Sequence, residues 1–519
     1  MHPLVLLALL QVGTVGAQHA GPLRQHPTTC YEVFVRSFYD SNGDGIGDLR
    51  GLTQKLDYIS GLGADCVWLM PVAESPSYHG YDVTDYNRIE PDYGTNDDFK
   101  AFVATAHQHG IRVLVDLVLN HTSSQHPWFQ EALQDTASPH RSWYRWSKTP
   151  GNNWHKSPVR DEYYFGLFWS GMPDLNYENP AVLEEMKRVA RFWLDSMQVD
   201  GFRLDAVRHL VEVGNEFSNT PATHQVLRDF GQYVRSIAPP PRSYTIGEVW
   251  DNTDVILTYY PDQLDAYFAF PISEALMEAV RTLKAGGLLP TVEQFARAEP
   301  AWRWAPFQRN HDQTRTMTAL GNDTAGAKLA ATILLTLPGV PFVYYGEEIG
   351  MTGDKPDERL RTPMQWSASS RGFTSGKPWE SLQSDTLTAN VAVEDGRPGS
   401  LLNLYRKLTH LRATNGALRE GRLEPIESGN ESVLAYMRVQ DSSAVLVLVN
   451  LGGTAASAPA PSSLVGSLPA PAVGVQLQVG WRDLLARGNP RRRSLPVLAP
   501  RRAYVYELSE VVTTKRTNR

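Results

Sequence analysis

Cysteine is scarce: the 519-residue chain has two, Cys30 and Cys66. That excludes a disulfide-built scaffold, and no Cys/His spacing suited to zinc occurs. Each cysteine opens a predicted strand, and the two strands are consecutive. Neighbouring strands often place side chains poorly for a bridge, so two buried thiols are expected ahead of a disulfide. A basic excess is absent too. Lys and Arg total 49 against 56 Asp and Glu, a net charge of −7, so no global field draws the chain to nucleic acid. Long apolar runs are also missing. Residues 3–15, followed by Gly16-Ala17, are too few to span a bilayer as a helix. They read as the core of a secretory signal, residues 1–17, although only His2 precedes the run where a positive leader is usual. The expectation is a secreted or periplasmic protein, with no membrane association after cleavage and no obligate protein partner.

What is present is an ordinary globular composition, 42% hydrophobic and 20% charged, long enough for more than one domain. Trp and Tyr are plentiful, and their flat faces with polar edges suit sugar rings as well as cores. From about Thr29 strand and helix patterns alternate. Strands are expected at Tyr31–Phe38, Asp65–Met70, Ile111–Leu117, a segment ending at Asp205, Ser243–Val249, Leu264–Phe270, Trp304–Asn310 and Val340–Tyr345. Helical periodicity falls between them, as in Leu52–Leu62, Phe99–His109, Ala181–Met197, Ser273–Lys284 and Ala325–Leu337, and a last helix, Leu401–Arg412, follows strand eight. Eight such units predict an α/β fold, a closed (β/α)₈ TIM barrel. Its first part spans residues 28–120 and its second 179–418. Between them, 121–178 holds five tryptophans and few helical signals, and is expected as an inserted lobe after strand three. A second excursion, Thr352 to Pro398, follows strand eight. Residues 419–510 turn to short apolar strands, a C-terminal antiparallel β-domain, with a loose loop at 452–472 and a basic solvated tail at 511–519.

Barrel enzymes work at the C-terminal ends of their strands, so the chemistry is sought there. Strand four ends Gly201-Phe202-Arg203-Leu204-Asp205. Alternate residues share a face, so Arg203 and Asp205 point the same way, and a guanidinium keeps a neighbouring carboxylate ionised. Alone, the pair reads equally as a structural ion pair or as an activated nucleophile. Strand three ends in Asn120-His121, strand five in Gly247-Glu248-Val249-Trp250, and strand seven in Asn310-His311-Asp312. Three acids converging on one mouth are hard to explain by structure alone. Two carboxylates about 5 Å apart hydrolyse a glycosidic bond with retention. Asp205 beside Arg203 is expected as nucleophile, and Glu248, crowded by other acids, as general acid and base.

The motifs DLVLNH (116–121), GFRLDAVRH (201–209), GEVW (247–250) and RNHD (309–312), in this order, resemble those of glycoside hydrolase family 13, the α-amylase family. The resemblance implies an α-glucan substrate, Asp205 and Glu248 in the roles above, and Asp312 as the third catalytic acid. It implies sugar contacts from His121, Arg203 and His311, and from His79, Tyr81 and Asp82 in the His79-Gly80-Tyr81-Asp82 platform. Tyr81 alone would read as a core or rim aromatic. Met172-Pro173-Asp174-Leu175-Asn176 is similar to a form intermediate between the oligo-1,6-glucosidase and neopullulanase branches. Ala206, small and next to the nucleophile, resembles α-1,4-acting members. The run Arg361 to Trp366 resembles exo-acting glucosidases and trehalose synthases, in which Arg361, or Arg359, would clamp a chain end with Asp82. An α-amylase is expected, with an exo-glucosidase or trehalose synthase-like transglycosylase as alternative and a non-catalytic sugar-binding relative as the distant one.

Calcium is the expected cofactor, at two places. Asp40, Asn42, Asp44, Ile46 and Asp48 offer oxygens at every second position, with Gly at the turn. A helix–loop–helix site would need Glu at position 51, where this chain has Gly. The loop resembles the ion loop after the first strand in the oligo-1,6-glucosidase branch, and otherwise reads as an Asx-rich turn. Asn120, Asp174 and the carbonyl of His209 resemble the calcium site between barrel and insert in α-amylases.

Overall fold

The computed structural model describes residues 23–441, 443–459, 475–492 and 494–515. The expected signal and the greater part of the expected loop at 452–472 lie outside them. Eight parallel strands form the central sheet: β1 (Cys30–Val33), β2 (Cys66–Leu69), β3 (Arg112–Val118), β4 (Gly201–Asp205), β5 (Tyr244–Gly247), β6 (Ala266–Phe268), β7 (Trp304–Ala305) and β8 (Phe342–Tyr344). They run in the order β7-β6-β5-β4-β3-β2-β1-β8. Between β7 and β8 the gap is closed by the Phe307–Phe342 bridge and by Val340 N–H donating to Trp304 O at 2.9 Å. The sheet is therefore a barrel. Its strands are shorter than their apolar runs suggested: after Val33 the chain tightens into a turn at Val35–Ser37, and β7 is two residues long.

The crossover helices show why the alternation was readable. Helix α1 (Asn96–Gln108) opens with Thr95 and Asp98 capping each other's backbone and buries Phe99, Phe102, Val103 and Ala106. Helix α2 (Pro180–Arg191) is capped by Asn179, starts on a proline, and buries Val182, Met186, Val189 and Ala190 along one face. A π-turn, Phe192–Ser196, then delivers the chain to β4. At Gly201, φ is +143°, and a Cβ would stand 1.9 Å from the Tyr244 carbonyl oxygen. Only glycine lets β4 approach β5 this closely.

Side chains of the strands divide between two cores. Phe202 and Leu204 face the helices, while Cys30, Trp68, Leu114, Ile246 and Phe342 pack inside the barrel. Cys30 and Cys66 correct the expectation of free thiols: they form a disulfide, fully buried. The parallel register sets the two residues directly opposite, both belong to the inner cluster, and their Cα atoms are 4.3 Å apart.

The insert carries a helix, Pro127–Gln134, and a small antiparallel sheet, Trp146–Ser147, Tyr163–Phe165 and Trp154–Lys156. The C-terminal sheet contains β9 (Arg422–Pro425), β10 (Val433–Gln440), β11 (Ser443–Asn450), β12 (Val475–Asp483), β13 (Arg491–Arg492) and β14 (Arg502–Lys515), in the order β9-β10-β11-β14-β12-β13. Residues 511–515, expected in a solvated tail, belong to β14. The sheet is fastened to the barrel helix α3 (Thr324–Thr336) by the buried Arg438, which donates to Thr336 O at 2.7 Å. Among the described residues no helix is long and apolar enough to cross a membrane.

Candidate active site

The C-terminal ends of β3, β4, β5 and the segment after β7 meet around one buried guanidinium. Arg203, 1% exposed, donates through Nη1 to both oxygens of Asp116 (2.9 and 2.8 Å) and to Asp205 Oδ1 (2.7 Å). Through Nη2 it donates to Glu248 Oε2 at 2.7 Å. Its other face lies over the Trp68 ring, 5.0 Å from the centroid. One cation thus holds both expected catalytic carboxylates, as the strand alternation predicted for Asp205. Burial pushes the Glu248 carboxyl up to about 7; Arg203 opposes this, and the charges of Asp205 and Asp312 add to it. Glu248 Oε2 also accepts the Ala206 N–H at 3.1 Å. Ala206 takes a left-handed backbone, φ 47°, which aims that N–H at Glu248.

Asp312 completes the trio. Burial alone would raise its carboxyl, but His311 and Arg361 beside it hold it below the ordinary range. Arg361 Nη2 donates to Asp312 Oδ1 at 2.8 Å and its Nε to the His311 carbonyl at 3.1 Å. The three acids line a cleft of about 650 Å³ with His79, Tyr81, His121 and Arg361. His121 is buried and held below its ordinary pKa by that burial, and its Nε2 has no partner within the protein. The Tyr81 hydroxyl donates to Asp116 Oδ2 at 3.1 Å and meets His311 Nε2 at 2.7 Å, with the two rings nearly parallel.

Three expected sugar contacts are nearly buried and outside the lining of this cleft. Arg203 and His311 are 1% and 0% exposed, and are bonded to lining residues, Arg203 to Asp205 and Glu248 and His311 to Tyr81. Asp82 is buried and outside the cleft lining, its Oδ1 accepting from the Ser75 and Ser77 hydroxyls. Arg359 is turned to Glu380 and Gln383. Other lining residues were not singled out: Phe168, Trp169 and Trp250, each about half exposed, with Lys355 and Asp357. Trp250 is braced by a stack on Phe270 at 5.0 Å. The aromatic density of the insert was the available signal for the first two. Glu32, Asp116 and Glu212 were also missed, because nothing local marks the partners that chain reversal brings to them.

The two expected ion sites differ. In the 40–48 loop the oxygens are engaged by the loop itself. Asp40 accepts from the N–H groups of Asn42, Gly43 and Gly45, Asn42 from Asp44, Asp44 from Ile46, and Asp48 from Ser41 and Gly51. At the second site Asn120 Oδ1 and Asp174 Oδ2 are buried with no hydrogen-bond partner. Glu212 joins them: burial, then the charge of Glu212, push the Asp174 carboxyl well above its usual range. His209 lies at the cleft edge, its ring Nδ1 on the Phe217 carbonyl. Among the described residues no three His, Cys, Asp or Glu side chains gather as a metal site, so an ion here would rest on two carboxylates, an amide oxygen and main-chain oxygen. Hard, underbonded oxygens of this kind fit calcium.

Comparison with known proteins agrees with this geometry. Residues 32–421 match the family model described as alpha amylase, catalytic domain. The chain is 42% identical over 432 residues to Alpha-amylase 3 of Dictyoglomus thermophilum, covering 81% of this chain and 84% of that one. It is 37% identical over 472 residues to the trehalose synthase/amylase TreS of Mycolicibacterium smegmatis, 79% of each. The crystal structure of an α-amylase from H. orenii superposes with a TM-score of 0.79 at 36% identity, covering 94% of this chain and all of that one. With the acids of β4, β5 and the β7 segment gathered at the barrel mouth, and the catalytic-domain match spanning barrel and insert, the chain belongs to the α-amylase family, glycoside hydrolase family 13, and is a glycoside-acting enzyme.

Proposed function

We propose that this protein is a secreted, calcium-binding, retaining α-amylase that cleaves α-1,4 bonds in starch and maltooligosaccharides. The observation that carries the reading is the single guanidinium of Arg203 bonded to both Asp205 and Glu248, with Asp312 facing them across the cleft. Glu248, half protonated near neutrality, gives its proton to the glycosidic oxygen while Asp205 attacks the anomeric carbon, forming a glycosyl-ester and releasing the leaving chain. Glu248, now ionised, takes a proton from water, whose oxygen displaces Asp205 and restores both groups. Asp312 and Arg361 anchor the sugar beside the bond being cut, and the exposed rings of Phe168, Trp169 and Trp250 offer faces to the flanking glucose units.

Export is supported by the apolar run at residues 3–15 and by the Cys30–Cys66 bridge, which an oxidising compartment maintains. Calcium is supported by the underbonded oxygens of Asn120 and Asp174. A second reading, glucosyl transfer within a disaccharide as in a trehalose synthase, is favoured by the charged wall of Lys355, Asp357 and Arg361 on one side of the cleft. Product time courses on starch, pullulan, isomaltose and maltose decide. A fast fall in starch viscosity with maltooligosaccharides released is the expected result. Trehalose from maltose without that fall selects the second reading, and no turnover of any of them overturns both.

A further inference from the structure

We propose that Glu32, on β1, is a positioning residue of this site: its carboxylate keeps His311 a cation, and the cation fixes Tyr81 and Asp312 in place. The inference rests on the cleft being a glycosidase site. Glu32 belongs to none of the motifs. It faces the barrel interior between Trp68 of β2 and Tyr344 of β8, is 2% exposed, and lies outside the cleft lining, with His311 and Tyr81 between it and the cleft.

His311 Nδ1 lies 2.5 Å from Glu32 Oε1, and its Nε2 lies 2.7 Å from the Tyr81 hydroxyl and 3.2 Å from Asp312 Oδ2. A neutral imidazole has one N–H, and an ionised carboxylate only accepts. With the single proton on Nδ1, Asp312 would face a lone pair. With it on Nε2, Glu32 would. A charged ring attracts both carboxylates, Glu32 through the hydrogen bond at Nδ1 and Asp312 as an ion pair beside Nε2, where either neutral tautomer turns a lone pair toward one of them. The imidazolium also leaves the Tyr81 O–H free to donate to Asp116. Burial works against a charged ring, but Asp312 and Glu32 outweigh it and hold His311 above its ordinary pKa. The other groups facing this assembly are Arg361 from the segment after β8, Arg203 of β4 behind Tyr81, Asp116 of β3 on the Tyr81 hydroxyl, Tyr344 of β8 beside Glu32, and the uncharged Trp68 ring. Both cations oppose the imidazolium and each is bonded to one of the other anions, Arg361 to Asp312 and Arg203 to Asp116, so Glu32 supplies the carboxylate that no neighbouring guanidinium shares.

Glu32→Gln keeps the shape and an accepting oxygen but removes the charge; Glu32→Asp keeps the charge with a shorter reach. Full-length protein carrying ¹³Cε1-histidine is titrated by NMR without substrate, the His311 signal being identified by its loss in His311→Asn. In the parent, His311 should titrate above ~6.5, the usual value. Glu32→Gln should lower it by about one unit or more, and Glu32→Asp by clearly less. Equal titrations in parent and Glu32→Gln, or a parent His311 titrating at or below the usual value, overturn the proposal. The parent measurement decides even if the Gln variant does not fold. In hydrolysis, the ratio of variant to parent kcat should fall by about tenfold between pH 5.5 and pH 8, with KM changed less. A ratio flat with pH marks a purely structural role and also overturns it. If the parent turns over no α-glucan, the functional reading fails while the titration still decides the part played by Glu32.

Discussion

Replacing Glu248 by glutamine should make the enzyme inactive and, above neutral pH, more stable. Both donors to Glu248, Arg203 Nη2 and the Ala206 N–H, bond the same oxygen, Oε2. A glutamine carbonyl placed there accepts both, and its amide NH₂ faces the cleft. The folded-state carboxyl is raised from 4.5 to about 7. Between those values the folded protein keeps a proton that the unfolded chain has released, so the parent loses stability as pH rises through this window. A shift of this size corresponds to roughly 3 kcal/mol at most, complete above pH 7. Glutamine does not titrate. The stability difference should therefore be near zero at pH 4.5 and grow to a few kcal/mol at pH 8, read as a rise of a few degrees in the midpoint. Thermal unfolding of parent and variant in matched buffers across this range is the assay, with hydrolysis of a maltooligosaccharide followed beside it and expected to fall by about 10³-fold. A midpoint difference that does not change with pH, or a variant less stable than the parent at pH 8, would refute the reasoning.

The general acid must be protonated, so parent kcat/KM should drop about tenfold per pH unit above 7; initial rates that stay level to pH 9 would contradict that role for Glu248. Asp205→Asn should lower hydrolysis by about 10³-fold or more with the circular dichroism spectrum unchanged, and activity within tenfold of the parent would remove Asp205 as nucleophile. Chelation should lower the melting midpoint of the parent, and Asp174→Asn should abolish that response if the ion sits between barrel and insert; an equal response in both places the ion elsewhere. Trp169→Ala should weaken binding of long maltooligosaccharides by about 1 kcal/mol, measured by calorimetry on the Asp205→Asn background, while an unchanged affinity would take that ring out of the binding surface.

The barrel was legible because each crossover helix carries its own caps and apolar stripe, as α1 and α2 do. The acids of the cleft were legible because charge at the end of an apolar strand is costly without a use. What escaped depends on closure. Cys30 and Cys66 bond because the register opposes them inside the barrel, a relation that the likeness of their two strands does not encode. Glu32 meets His311 across 279 positions, and neither neighbourhood hints at the other. Asp82 sits in the expected platform segment beside His79, with the hydroxyls of Ser75 and Ser77 on its Oδ1, serines that no motif pointed to. Strand ends were overestimated at Tyr31–Phe38 because the apolar run continues into the turn at Val35–Ser37, whose residues are equally buried.

The order of the C-terminal sheet bears on how a ribosome makes this protein. β14 sits between β11 and β12 although it follows both in the chain. While residues 502–515 are still to be synthesised, β11 waits with one flank of backbone amides and carbonyls unmatched, and it is built from Val445, Leu446, Val447 and Leu448. Such a ribbon readily recruits its like from a neighbouring nascent chain. Messages cut short before position 502 would thus yield adhesive products rather than a slightly shorter enzyme, and a slow stretch of translation there would lengthen the hazardous interval.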